Sequence, residues 1–285
     1  MNDRRQAPSQ PALPASEQGS TLDLEFAQLS DLGRVRTNNE DYIGHVAPET
    51  PAKARSHGWL FVLADGVGGH RQGEVASRIA VESLLAGFRD SPAVNSFEPL
   101  LVRLIKQANT KVYEAGIAAG PAGAGMSTTI VTCAVRHDRA YIAHVGDSRC
   151  YLIRNEIIKS LTRDHTVANE QLRLGLISSG QSSAVIRHAL SRSIGSELFV
   201  NVESGIFAIQ PGDTLLLCSD GLHGAVPDGK IASAVNDSPD LPSAAEKLIS
   251  LANELGGSDN VTVQLIRVRS VERMGVYRGR PYKLR

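Results

Sequence analysis

Short polar links between strand-like runs constrain this chain most. Apolar runs recur at 59–64, 128–135, 140–145, 150–154, 205–209, 214–218 and 260–268. An alternating pattern, Leu22-Asp23-Leu24-Glu25-Phe26-Ala27, opens the series. Some are joined by a few polar residues only, as at Arg136-His137-Asp138-Arg139 and Arg154-Asn155-Glu156. A link that short reverses the chain onto itself, whereas a parallel neighbour needs a crossover of about a dozen residues or more. Helical periodicity lies between the strand clusters, at 72–88, 97–118, 167–174, 232–235 and 241–255. Strands in sequential clusters with segregated helices predict an α+β fold of antiparallel meanders, not a doubly wound parallel sheet. No internal repeat is visible.

At 285 residues the chain can hold one large domain or two small ones. Residues 1–21 are rich in Pro, Gln, Ser and Ala and are predicted to be disordered. The folded domain is expected over 22–269. Within it, 164–195 breaks the pattern with an amphipathic stretch followed by Ser178-Ser179-Gly180-Gln181-Ser182-Ser183, and reads as a surface flap. The final segment, 270–285, sets Arg273, Arg278, Arg280, Lys283 and Arg285 against Glu272 and reads as a solvated basic tail.

Thirty basic residues balance thirty acidic ones, so no global field recruits nucleic acid or an anionic membrane. No apolar run approaches the roughly 20 residues of a bilayer span. The first twenty residues carry charge without an apolar core, unlike a secretory signal. A cytoplasmic protein is expected. The three cysteines, Cys133, Cys150 and Cys218, lie in or beside apolar runs without C-x-x-C spacing, which favours buried thiols over disulfides or a zinc site.

Four aspartates flank these apolar runs. Asp41 sits in Arg36-Thr37-Asn38-Asn39-Glu40-Asp41, Asp65 ends the run at Ala64, Asp220 follows Cys218-Ser219, and Asp259 opens Asp259-Asn260-Val261. A strand that stops at Asp-Gly places a carboxylate at a sheet edge beside a residue that permits close backbone approach. A single Asp-Gly is an ordinary turn. Several such carboxylates brought together would form an all-oxygen site for hard divalent cations such as Mg²⁺ or Mn²⁺, which points to metal-assisted hydrolysis of a phosphate ester.

In chain order the segments are R-x-x-N-E-D, A-D-G-x-G-G-H, G-x-S-T, G-D-S-R, S-D-G and D-N-V-T. That ordered set resembles the metal-dependent serine/threonine protein phosphatases, the PPM or type 2C family, in particular their compact bacterial members, from about Leu24 to Val268. The resemblance implies two packed antiparallel sheets flanked by helix pairs, a four-layer αββα sandwich with a flap. It implies that Asp41, Asp65, Asp220 and Asp259 hold two Mn²⁺ or Mg²⁺ ions, with the Gly66 carbonyl as a further ligand. Asp147 matches a ligand of a third, weaker ion, Arg36 the arginine that grips the substrate phosphate, and Glu40 an acidic neighbour that holds metal-bound water. Phosphorylated proteins, made by a cognate serine/threonine kinase, are the implied substrates, with no nucleic-acid or membrane partner and a monomeric enzyme.

The residue types suit that chemistry. Carboxylates bind hard cations while leaving waters in place, two ions sharing a water lower its pKa, and a guanidinium matches phosphate oxygens bidentately. Taken alone, Arg36 would more simply pair with Glu40, four residues on. One departure concerns the general acid. Many eukaryotic relatives carry a histidine directly after the second motif's Asp-Gly; here Val67 stands there and His70 reads as a helix-start residue. A metal-bound water is the alternative proton source. Cys133 and Arg139 fit the C-x₅-R spacing of cysteine phosphatases, but the stretch lacks the glycine-rich phosphate loop. Gly66-Val67-Gly68-Gly69 lacks the spacing of nucleotide-binding loops. Two rival functions stay open on sequence: a phosphatase of small phosphate esters, and a catalytically silent binding module of the same fold.

Overall fold

The computed structural model describes residues 22–67, 72–178, 189–277 and 280–283. The expected disorder of 1–21 and the position of His70 fall outside these residues. In chain order come β1 (Asp23–Asp31), β2 (Asp41–Val46), α1 (Pro51–His57), β3 (Trp59–Val67), α2 (Gly73–Arg89) and α3 (Phe97–Ala118). Then follow β4 (Ser127–Thr128), β5 (Ile130–Arg136), β6 (Arg139–Val145), β7 (Arg149–Arg154), β8 (Ile157–Ser160), α4 (Val167–Arg173) and β9 (Glu203–Ala208). The last elements are β10 (Thr214–Cys218), α5 (Asp220–His223), α6 (Asp228–Asn236), α7 (Leu241–Glu254), β11 (Val261–Ser270), β12 (Met274–Tyr277) and β13 (Arg280–Lys283).

Two antiparallel sheets result. One has the order β2-β3-β5-β6-β9, with β4 pairing β3; the other has the order β1-β11-β10-β7-β8. The period-2 geometry of β3 explains its unbroken apolar run. Leu60, Val62 and Ala64 face α2 and α3, while Phe61 and Leu63 face the second sheet. A strand covered on both faces has no need for polar alternation. The second sheet does the same: Leu216 and Cys218 pack on α6 and α7, and Leu215 and Leu217 join the layer between the sheets. The architecture has the α+β segregation that the sequence pattern predicts and the four-layer αββα sandwich that the resemblance implies. Caps fix the long helices: Ser96 accepts from Glu98 N–H at the start of α3, and Asp240 from Ser243 N–H at the start of α7.

Several expectations need correction. The strand at 59–64 does not stop at Asp65-Gly66; β3 runs to Val67 because Gly66 and Val67 pair with Thr128 and Ser127. Asp41 does not sit in a turn after an apolar run but opens β2, directly opposite Asp65. Asp220 begins a short helix. Both ends of the 164–195 segment are anchored in the fold. His165 and Ile194 are fully buried, Ile194 is bonded on both backbone groups to Thr128, and Thr166 bridges to Leu190. Residues 179–188 lie outside those described. The C-terminal run begins buried rather than solvated: Val271 joins the layer between the sheets, and Glu272 is covered beside Arg55 and His137. Beyond it β12 and β13 pair as a hairpin.

Candidate active site

Both sheets deliver their acidic residues to the same end of the sandwich. In the first sheet, Asp41 and Asp65 face each other across β2 and β3, and Thr129 continues the row by donating its N–H to Asp65 O at 2.8 Å. In the second, β10 and β11 are neighbours with Cys218 opposite Val263, so Asp220 just after β10 and Asp259 just before β11 share an end. Asp147 lies in the three-residue link by which β6 of one sheet passes to β7 of the other. Asp65, Asp147, Asp220 and Asp259 line a cleft of about 250 Å³ together with Arg36, Glu40, Gly66, Val67, Thr129 and Leu190. Asp41, opposite Asp65, is buried and bonded across the sheets by Ser219 Oγ–H to its Oδ2 at 2.8 Å.

Hydroxyl and amide side chains hold the frame. Thr262 N–H donates to Ser219 Oγ, and Ser219 N–H to Thr262 O, so the Asp41 partner is fixed by the second sheet's own ladder. Asn260 donates to the carbonyls of Leu32 and Asn38 and accepts from Glu40 N–H at 2.8 Å, tying the Arg36–Glu40 loop to the start of β11. Thr129 Oγ1 accepts from Asp65 N–H and lies 2.7 Å from Ser148 Oγ, joining the two metal-motif strands to the Asp147 link.

The electrostatics of this arrangement are those of unscreened like charges. Burial pushes the Asp41 carboxyl up to about 7; hydrogen bonds from Thr262 and Ser219 oppose the shift, and the charges of Asp220 and Asp259 add to it. Burial also lifts Asp65 well above the usual carboxylate range, reinforced by Asp41, Asp220, Asp147 and Asp259. Asp147 is raised to about 7 by burial first, then by Asp220 and Asp164. Arg36 is the cation over the group. Its Nη2 donates to Asp259 Oδ2 at 2.6 Å, a bond that raises its own pKa further. The close ion pair of Arg36 is thus with Asp259, and Glu40 acts on it as a further nearby charge.

The donor set fits hard divalent cations. The converging side-chain groups are carboxylates, the type such ions take. Asp41 Oδ1 is buried and accepts no hydrogen bond among the described residues. At Gly66 the backbone passes so close to Gly73 and to Glu40 O that a Cβ would lie 2.4 and 2.8 Å from them, so only glycine fits there.

Of the sequence-predicted site residues, Arg36, Glu40, Asp65, Gly66, Asp147, Asp220 and Asp259 line one cleft, and Asp41 pairs with Asp65 on the neighbouring strand. Ser219, Thr129 and Asn260 were missed as supports; only Ser219 and Asn260 carried a signal, as neighbours of Asp220 and Asp259. Cys133 is in the middle of β5, fully buried between the sheets, and no loop wraps it, so the C-x₅-R spacing is coincidental. Among the described residues no helix is long and apolar enough to cross a membrane.

Fold and cleft together define a metal-dependent phosphoester hydrolase built on a two-sheet sandwich. The sequence profile described as Protein phosphatase 2C matches residues 34–265, and the chain belongs to that family of protein phosphatases. It is 35% identical over 246 residues to the protein phosphatase PhpP of Streptococcus pneumoniae, covering 85% of this chain and 97% of that one. It is likewise 35% identical over 241 residues to the serine/threonine phosphatase stp of Listeria innocua, covering 83% and 93%. Among solved structures, the catalytic domain of the serine/threonine protein phosphatase PstP in complex with two manganese ions superposes with a TM-score of 0.75 at 33% identity, over 88% of this chain and all of that one. The Streptococcus agalactiae serine/threonine phosphatase gives 0.79 at 32% identity, over 87% and 100%.

Proposed function

We propose that this serine/threonine phosphatase acts on phosphoserine and phosphothreonine in proteins phosphorylated by a cognate kinase, as a monomer in the cytoplasm, with Mn²⁺ or Mg²⁺ in the cleft. The observation that carries the reading is the convergence, from both sheets, of Asp41, Asp65, Asp220 and Asp259 under the Arg36 guanidinium. These four carboxylates and the Gly66 carbonyl would hold two ions, and Asp147 with Asp220 a third, weaker one. Bound ions would neutralise the carboxylates, polarise the phosphoryl oxygens and lower the pKa of water in the cleft.

The chain's own groups do the rest. Arg36 presents a planar fork of donors at the rim and orients the phosphate against the carboxylate cluster. Glu40, whose backbone N–H is fixed by Asn260, orients water at the cleft wall. Val67 lines the wall next to Asp65 and Gly66 and brings no proton donor, so the leaving alkoxide takes its proton from water. A silent binding module gains nothing from this arrangement, because burying several like charges together opposes folding.

Turnover of a phosphopeptide panel with Mn²⁺, beside sugar phosphates and nucleotides, tests the proposal. Phosphoserine and phosphothreonine peptides are expected to be hydrolysed with far higher kcat/KM than the small esters. A preference for small esters would transfer the assignment to a metabolite phosphatase, and no turnover of any substrate would leave the binding module.

A further inference from the structure

One polar cluster beneath the cleft is not absorbed by this chemistry. His144, His165 and Glu203 bring one nitrogen or oxygen each within 4.8 Å of one another. His144 and Glu203 are there because β6 and β9 pair them in register, and His165 because its backbone N–H bonds Gly146 O just after β6. The spacing would suit a metal, but the geometry does not. The two imidazoles are stacked, 4.7 Å between centroids and 14° between planes. Imidazole lone pairs lie in the ring plane, and two nearly parallel planes do not meet at a shared ion. His144 also directs Nε2 at Arg163 O, 2.9 Å away.

The hydrogen bonds assign another role. Gly146 N–H donates to His165 Nδ1 at 3.2 Å, and His165 N–H donates to Gly146 O at 3.0 Å. With Nδ1 accepting, the single ring proton belongs on Nε2, where Glu203 Oε2 receives it at 3.2 Å. Glu203 is held in turn by Arg163 at 2.7 Å. Arg192 Nη1 lies 3.4 Å from the same Nε2, but its protons cannot bond a nitrogen already carrying one, and its Nη2 is committed to Glu170. On the other side of the link, His223 Nε2 donates to Asp147 O at 3.0 Å. Gly146 itself has φ +106, a conformation that glycine adopts freely and ordinary residues resist.

We propose that His165, oriented by Glu203, is a positioning residue that fixes the Gly146-Asp147 backbone and so aims the Asp147 carboxylate into the cleft. The inference rests on the reading of Asp147 as a ligand of the weakest cation. It also gives the buried ends of the 164–195 segment a task, since the link's direction depends on the residue that opens it.

The test is Mn²⁺ binding to the full-length protein, by calorimetry and by electron paramagnetic resonance of free Mn²⁺, with phosphopeptide turnover against Mn²⁺ measured alongside. The variants are Asp147→Ala, His165→Leu, His165→Asn and Glu203→Ala. Asn places a carbonyl oxygen where imidazole has Nδ1 and keeps the bond from Gly146 N–H; Leu loses that bond and retains only the backbone bond from its own N–H to Gly146 O. His165→Leu and Glu203→Ala are expected to weaken the weakest Mn²⁺ class by about tenfold, the usual effect of losing a residue that orients a ligand. The tight class should be unmoved, and His165→Asn should bind nearly as the parent does. Glu203 is partly exposed, so Glu203→Ala stands if His165→Leu fails to fold. Loss of the weak class in Asp147→Ala alone, with parent isotherms for His165→Leu or Glu203→Ala, would overturn the inference and keep the ligand. A parent isotherm for Asp147→Ala would remove the ligand reading and the inference with it.

Discussion

Gly66→Ala is the most informative small perturbation of this fold. A Cβ at Gly66 would stand 2.4 Å from both C and O of Gly73 and 2.8 Å from Glu40 O. All three are backbone atoms, so no side chain can swing away, and an ordinary contact at about 3.5–4 Å requires the start of α2 to retreat by roughly 1 Å. Overpacking on this scale costs about 1–3 kcal/mol, and in a domain this large each kcal/mol moves Tm by about 2–4 °C. The expected fall is therefore ~2–12 °C. The displacement also strains the bonds that Gly66 N–H and Ser77 Oγ–H make to Glu40 O, 3.0 and 2.6 Å long, and through them the seats of Glu40 and Asp65. Mn²⁺ activation should accordingly shift to higher concentration. Gly229→Ala is the control: nothing lies within 4 Å of its Cβ position in α6, so it should be neutral or slightly stabilising. Thermal melts and Mn²⁺ titrations of both variants give the answer. Equal melts and equal titrations for Gly66→Ala and the parent would refute the close-approach argument.

The metal-free protein should lose stability as pH rises. Asp41 lies at about 7 against an ordinary 3.8, so its burial costs nothing below about pH 4 and a growing amount up to about 7. That is up to ~4 kcal/mol from Asp41 over three pH units; urea melts in chelator should show the decline, and Asp41→Asn should make it shallower, with Asp65 and Asp147, raised in the same direction, keeping the rest. Arg36→Ala removes a charged bidentate contact, and phosphopeptide kinetics should show KM raised about 10–100-fold with Mn²⁺ binding little changed. Cys133→Ser should be less stable by ~1–3 kcal/mol, the cost of a buried hydroxyl without a good partner, yet keep nearly parental turnover in its folded fraction. Lost turnover there would reopen the cysteine mechanism.

Much of this was legible in the sequence because the informative residues sit next to strong local signals. The span of α3 could be read to the residue, since 97–118 is long, periodic and preceded by Ser96. Asp65, Asp220 and Asp259 could be found because each lies at or beside the end of an apolar run. What stayed hidden depends on pairing between distant segments. β3 continues through Asp65-Gly66 only because β4 lies beside it, and β2 carries too few apolar residues to announce itself. Ile194 is one apolar residue among Ser191, Arg192, Ser193 and Gly195, with no period to detect, yet it is fully buried. The Glu203–His165 pair spans 38 positions and needs β6 and β9 in register before it exists.

The central claim is that acidic residues from two sheets form one metal-dependent phosphatase site. Its most direct test is phosphoserine-peptide turnover by the parent and Asp65→Asn, measured in chelator and then across added Mn²⁺. The parent is expected to be inactive in chelator and restored by Mn²⁺, while Asp65→Asn stays folded, by its melt, and orders of magnitude slower at any Mn²⁺ concentration. Undiminished parent turnover in thorough chelation, or full activity of folded Asp65→Asn, would contradict the claim.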